Sequence, residues 1–339
     1  MPLPPKWLRR VLIAPALVIL IVAALLTMPV WLIVAAFVSR YVPGKWRILR
    51  ILWFLFLYML VEAVALVVMF LLWVASGFGW RIHRSFFQHL HYRVLALMLR
   101  TVIRTAKRTF HLSVVMDGPL PKTGHIRTRP ALVLSRHAGP GDSMLLMDAL
   151  VNGFGREPRI VLKEFLQWDP AVDVILNRLP ASFVPSGGKG GEAVIEAIRE
   201  LAETMTVDDA FVIFPEGANY TVGRAKKAIQ KLREIGRPDL AERAEMLEQT
   251  LPPKPKGVMT AFAAAPLGTD VFLVGHAGLE AFVSAGDIWR AIPMDTRVEV
   301  RIWHYPAEQI PGPTEQEAWL YDRWSEIDTW ISGQLAASG

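Results

Sequence analysis

The alternation of apolar and polar positions divides the chain into three textures. From Val11 to Val38 there are 28 residues without a charge, and from Ile51 to Ser76 there are 26 whose single charge is Glu62. About 20 apolar residues span a bilayer, so each run predicts a long apolar helix able to cross one. Residues 81–110 change to the period of an amphipathic helix, with Phe86, Leu90, Val94, Leu97 and Met98 on an apolar face beside Arg93, Arg100, Arg104 and Lys107. From about residue 111, short β-branched runs alternate with helical patterns, which is the signature of an α/β domain. Strands are predicted at Ala131–Ser135, Arg159–Leu162, Ala210–Phe214, Val271–Gly275 and Arg297–Trp303, and helices begin near Asp142, Lys163, Gly191, Arg224 and Thr314. The fold class that follows is α/β: a mixed sheet flanked by helices, preceded by an N-terminal hydrophobic helical membrane anchor. The expected divisions are an anchor over residues 1–80, a basic interfacial helix over 81–110, the α/β domain over 111–310, and a C-terminal helix and tail over 311–339.

A cleaved signal peptide fits the first apolar run poorly, because the run is too long, lacks a small-residue cleavage site and is followed by a second run. Basic residues prefer the cytoplasmic side, yet Arg40, Lys45, Arg47 and Arg50 crowd the connector between the runs while Lys6, Arg9 and Arg10 precede the first. Two full spans would strand that connector outside. A re-entrant hairpin, helped by possible bends at Pro15 and Pro29, is therefore placed ahead of two spans, with the catalytic domain on the cytoplasmic face.

Composition sharpens this picture. The chain of 339 residues is 53% hydrophobic and only 20% charged, on the apolar side of the roughly 25% usual in soluble domains. The net charge of +6 is concentrated after the anchor, where Arg81, Arg84, Arg93, Arg100, Arg104, Lys107 and Arg108 occur with no acid between Glu62 and Asp117. That stretch suits anionic lipid. Nucleic acid is the poorer partner, since the basic residues adjoin lipid-facing segments and no nucleic-acid motif follows. With no cysteine, disulfides, thiolate metal sites and a cysteine nucleophile are excluded. The stretch Arg224 to Lys256 is charged and helical and ends in LPPKPKG, an excursion from the sheet closed by prolines.

Two loops carry candidate chemistry. SRHAGPGDS, Ser135 to Ser143, places His137 and Asp142 in one strand-to-helix turn. Histidine, with an ordinary pKa of about 6.5, is the natural general base for a hydroxyl, and a carboxylate on its other nitrogen would orient the ring. Taken alone, the spacing is better explained by Asp142 capping the next helix. The balance changes because a second polar loop, FPEGAN at Phe214 to Asn219, follows another apolar strand.

The two loops together resemble the lysophospholipid acyltransferases typified by 1-acylglycerol-3-phosphate acyltransferase, over roughly residues 110 to 305. The H-x-x-x-x-D motif is matched by His137 and Asp142, and F-P-E-G by Phe214, Pro215, Glu216 and Gly217; Ala218 stands for threonine and Asn219 for arginine. VLKEFLQWDP is similar to a family segment with a lysine-glutamate pair, here Lys163 and Glu164. The motif that normally presents an arginine reads SFVPSGGKGGE, with Ser186 at the arginine position; Lys189 or Arg178 is a substitute cation, and the glycines around it either offer backbone N–H groups to an anion or form a plain turn. It is not a nucleotide P-loop. VFLVGHAGLE carries the strand of a fourth motif without its proline, and His276 is expected to line a pocket or end a strand.

The resemblance implies transfer of a fatty acyl group from acyl-CoA or acyl carrier protein to the free hydroxyl of a lysophospholipid, most directly 1-acylglycerol-3-phosphate. His137 is then the general base and Asp142 its orienting carboxylate, with Glu216, Gly217, Ala218, Asn219, Lys163, Ser186 and Lys189 toward the substrate. The thioester is a co-substrate; no bound cofactor and no metal is implied, and membrane lipids are the partners. The missing arginine keeps open another acceptor, such as an aminolipid, a glycolipid or a different lysophospholipid. A lipid hydrolase is disfavoured by the lack of G-x-S-x-G, and a non-catalytic lipid-binding protein by the pairing of His137 with Asp142.

Overall fold

The computed structural model describes residues 3–118, 128–139, 141–185, 191–280, 282 and 285–338. The two apolar runs form helices α1 (Lys6–Ser39) and α2 (Arg47–Ala75), each long and apolar enough to cross a membrane. Helix α1 runs on through Pro29 without a break. The turn between them uses left-handed backbone at Gly44, Lys45 and Trp46, and Ser39 Oγ accepts from the Leu49 amide at 3.0 Å, tying the two helices together. Their outward residues are bare: Leu26 is 78% exposed and Ile33 71%. An apolar surface on that scale is not left to water.

Helix α3 (Ser85–Phe110) lies against α2, and its buried residues are His91, Tyr92, Leu99, Val102, Ile103, Thr109 and Phe110. The apolar face expected from sequence divides. Phe86 and Leu97 are exposed on the same outer side as the arginines, while residues one helical step away pack inward, because α3 is wedged between the hairpin and the domain.

The domain is a seven-stranded sheet in the order β1-β7-β6-β2-β5-β3-β4. Its strands are β1 (Ser113–Met116), β2 (Ala131–Ser135), β3 (Glu157–Lys163), β4 (Ala181–Val184), β5 (Asp209–Ile213), β6 (Asp270–Ala277) and β7 (Arg297–Tyr305). All neighbours are parallel except β6 and β7. β2 and β6 are buried along their whole length, as parallel strands covered on both faces must be. The connecting helices are α4 (Asp142–Asp148), α5 (Pro170–Leu176), α6 (Gly191–Glu203), α7 (Val222–Glu234), α8 (Pro238–Glu245), α9 (Pro255–Ala264), α10 (Ala285–Ala291) and α11 (Gln316–Ser338). The helix expected near Lys163 begins later. Glu164–Trp168 forms a 3₁₀ turn, and α5 starts at Pro170, where Asp169 accepts from the Val172 amide at 2.9 Å and proline fits the first turn. Strands β1 and β4, four residues each, are additions to the expected set.

One sheet face, with Leu132, Leu134, Phe211 and Leu273, packs against α6, α9 and α11. The other, with Ala131, Val133, Val274 and Val298, faces α3 and α4 and borders a cavity of about 600 Å³. The hairpin is fastened to the domain by polar contacts as well as by packing of Leu66 and Met69 on Val174 and Ile175. Arg9 donates to Asp173 at 2.7 Å and to Gln167 at 2.9 Å, Tyr58 donates to Asp169 at 2.7 Å, and Arg178 donates to the Met69 carbonyl at 2.8 Å.

Candidate active site

Strands β2, β5 and β3 are adjacent and parallel, so the loops that follow them meet at one edge, the carboxyl end where α/β sheets receive ligands. This brings His137, Lys163 and the Phe214–Asn219 loop together although 82 positions separate the first from the last. Gly141, in left-handed backbone at φ +97°, turns the chain so that Asp142 opens α4 with its carboxylate directed back at the loop.

That carboxylate is almost fully coordinated. Oδ2 lies 2.9 Å from His137 Nδ1 and accepts from the Ala138 amide at 2.9 Å and the Gly139 amide at 3.3 Å; Oδ1 accepts from the Ser143 amide at 2.5 Å and the Ser143 hydroxyl at 3.1 Å. Burial pushes Asp142 upward, but the hydrogen bond and charge of His137, with help from His276 and the Gly139 amide, outweigh it and hold the carboxyl below its ordinary value. An anionic Asp142 calls for a proton on His137 Nδ1, which leaves a lone pair on Nε2 to take a proton from a hydroxyl. The His137 side chain is 28% exposed, against 3% for Asp142, and its ring rests on Phe214 with centroids 4.9 Å apart. The base is reachable and its partner is not.

Glu216 joins the two loops. One oxygen accepts from the His137 amide at 3.2 Å and the other from the Leu251 amide at 3.0 Å. Burial raises its pKa to about 7, against the pull of the Leu251 amide and the Arg136 charge. Residues 248–251 are in turn held by Asp328, which accepts from the Glu248 and Gln249 amides at 2.9 and 2.8 Å, and by Trp324, which donates to the Leu251 carbonyl at 3.1 Å. Glu216 therefore fixes the backbone of the His137 loop to the far side of the domain.

Gly217 takes φ +68°, and a Cβ there would come within 2.6 Å of Lys254 Nζ. The left-handed backbone favours glycine, and a side chain there would also push the Lys254 ammonium aside. Burial, then the charges of Lys231 and Lys163, lower the Lys254 pKa, so three lysines from three elements put positive charge beside this turn. Ala218 and Asn219 complete the loop, with the Asn219 carbonyl accepting from Arg224 at 3.0 Å. Lys163 is exposed at the end of β3. Ser186 and Lys189 lie outside the described residues. Arg178, the alternative cation, is directed away at the Met69 carbonyl and His91.

Three participants were not singled out as site residues from sequence. Lys254 belongs to a proline-rich stretch read as punctuation. Arg136, fully buried, donates to the Gln249 carbonyl at 2.8 Å and to the His276 carbonyl at 2.5 Å and pairs with Glu280, so it braces the site from below. The apolar cavity, with Ser135, Asp142 and His276 among its lining residues, has its walls in side chains that alternate along distant strands. Among the described residues, no three His, Asp or Glu side chains converge as metal ligands.

Residues 119–271 match the family model described as Acyltransferase, a span that contains His137, Asp142, Lys163 and Glu216. This segment is an acyltransferase domain. No curated protein and no solved structure matches the chain.

Proposed function

We propose that the acyltransferase domain at residues 119–271 moves a fatty acyl group from a thioester, acyl-CoA or acyl carrier protein, onto the hydroxyl of a lysophospholipid at a membrane surface. One observation carries the reading: His137, partly exposed, has its Nδ1 2.9 Å from a buried, multiply hydrogen-bonded Asp142. The acceptor hydroxyl sits against Nε2 and loses its proton as its oxygen attacks the thioester carbonyl. Asp142 stabilises the imidazolium so formed, and collapse of the tetrahedral intermediate expels the thiolate, which the imidazolium protonates. No acyl-enzyme is required. Glu216 keeps the His137 backbone in place and is a support rather than a second base.

The cavity of about 600 Å³ is of ligand-pocket size, combines apolar walls such as Val133, Leu150 and Phe272 with Arg100, Arg104, Lys107 and Arg108 of α3, and reaches Asp142; it is the receptacle we assign to an acyl chain. The hairpin's bare apolar surface and the exposed arginines of α3 dock the domain on anionic lipid, where both substrates are concentrated. Lys254, Lys163 and Lys231 supply positive charge at the Gly217 turn, which favours a phosphate-bearing acceptor such as 1-acylglycerol-3-phosphate, giving phosphatidic acid. Another lipid acceptor is the second reading. It is favoured by the engagement of Arg178 with the hairpin and by Asn219 in the arginine position.

The test is acyl transfer by the full chain in detergent, from labelled acyl thioesters to a panel of lysolipids, with His137→Ala alongside. Transfer that disappears in the variant supports the reading and names the acceptor. Folded wild-type protein that transfers to no lysolipid from either donor would sink it.

A further inference from the structure

His276 closes β6 where it lines the cavity, five positions beyond the segment matched to the acyltransferase family. It is 6% exposed, and among the described residues neither ring nitrogen has a hydrogen-bond partner. An unsatisfied buried polar atom costs roughly 1–3 kcal/mol, so a histidine at this place, rather than the leucine or valine its apolar neighbours would suit, needs a reason. Asp142 supplies one. His276 Nε2 stands 3.7 Å from Asp142 Oδ2, about 0.8 Å longer than an ordinary N–H···O contact. Asp142 thus lies between two imidazoles, His137 on the exposed side and His276 on the cavity side.

The backbone beneath His276 is clamped. Its carbonyl accepts from Arg136 Nη1 at 2.5 Å, and the Gly278 amide donates to Glu280 at 2.7 Å. Gly278 itself, at φ +105°, leaves no room for a side chain, since a Cβ would fall 2.4 Å from the Arg297 carbonyl oxygen. The ring is held by its own strand with Nε2 3.7 Å from the carboxylate oxygen, within an ångström of hydrogen-bond distance.

We propose that His276 is a positioning residue: a neutral imidazole whose Nε2–H is directed at Asp142 Oδ2 and which, from the cavity side, keeps the carboxylate on His137. Its neutrality follows from its surroundings. Burial, then the Arg136 charge, push it down to about 4, against the pull of Asp142 and Glu280, the other charged groups that bear on it. A neutral donor steadies Asp142 without neutralising it, and the ring's bulk separates the carboxylate from whatever fills the cavity. It adds, from the cavity side, to the hold that the Ala138, Gly139 and Ser143 amides already have on the carboxylate.

The inference rests on the acyl-transfer reading, and its test separates the two. His276→Leu and His276→Gln are made in the full chain in detergent and compared for melting temperature, kcat and KM, the pH profile of kcat, and the low-field proton resonance of His137 Nδ1–H. Leucine removes two unpaired polar atoms, so the protein should melt at the same temperature or higher. Its kcat should nevertheless fall on the order of 10-fold with KM unchanged, below the roughly 10²-fold cost of an ångström of misplacement. The acid limb of the profile should move and the His137 resonance broaden or vanish. Glutamine, which keeps an N–H, should recover most of both. Wild-type kcat and resonance in the leucine variant would overturn the proposal, as would glutamine behaving like leucine. If wild-type protein transfers no acyl group at all, the acyl-transfer reading falls, and the resonance and melting comparisons still decide the role of His276.

Discussion

The two faces of the sheet are built from the same strands and do opposite things. On one, Leu132, Leu134, Phe211 and Leu273 meet Ile198, Val258, Leu320, Trp324 and Ile327, all at 6% exposure or less. On the other, alternate residues of those strands, Ala131, Val133, Phe272 and Val274, border open space under α3 and α4. Period-two geometry hands each strand one residue for each face, so a single strand serves the larger core on one side and, on the other, a smaller buried cluster with Leu150 and Val212 that borders the cavity. The largest buried cluster lies on the α6-α9-α11 side. The cavity lies on the other side, and the reactive loop stands at the carboxyl end of the strands between them.

Substitutions can break or sharpen this division. The largest effect should come from the head of the open face: Asp142→Asn leaves the shape intact but removes the charge that holds His137. Initial rates of acyl transfer should drop roughly 10²- to 10⁴-fold, with a smaller fractional loss of stability because an amide NH2 replaces an oxygen that accepts from backbone N–H groups. Equal losses of rate and stability would mean the two faces are not separable. Next, Trp324→Ala on the packed face deletes an inaccessible indole and its bond to the Leu251 carbonyl, and should cost about 3–5 kcal/mol in denaturant unfolding.

Glu216 joins the faces through the His137 and Leu251 amides and gives a pH signature. Its folded value of about 7 stands above the ordinary 4.5, so the folded chain binds this proton more tightly than the unfolded chain does. Stability should therefore fall as pH rises from about 4.5 to 7 and level off above, by up to roughly 3 kcal/mol. Glu216→Gln should flatten the slope in thermal melts across that window. The smallest stability effect belongs to Val300→Phe, which grows a side chain into the cavity. It should change unfolding free energy by less than about 1.5 kcal/mol, yet shift preference toward shorter acyl thioesters in a competition assay. Unchanged chain preference would remove the acyl chain from the cavity.

The central strands were legible because parallel strands covered on both faces are continuous apolar runs, and β2 was expected over the residues it occupies. β1 and β4 were not, since four-residue edge strands carry too few positions for a pattern. The turn at Gly141 made the pairing of His137 with Asp142 readable, being local. The reach of Glu216 to Leu251, of Arg136 to Gln249 and of His276 toward Asp142 spans 35 to 134 positions, and depends on strand order, which no local pattern encodes. Lys254 was hidden for the same reason. Its ammonium meets Gly217 only because its amide hydrogen-bonds the Pro215 carbonyl at 2.9 Å.

The bonds of Arg9, Tyr58 and Arg178 across the hairpin's base make hairpin and domain a single lever. A catalytic unit on a slack tether searches a volume and meets lipid at any tilt. On the membrane-docked reading, one bolted to its own anchor searches a plane, at a single height and a single tilt. Lateral diffusion then replaces reorientation as the step that delivers substrate. On the membrane-docked reading, bilayer thickness would set how deep the lever seats and so bear on turnover.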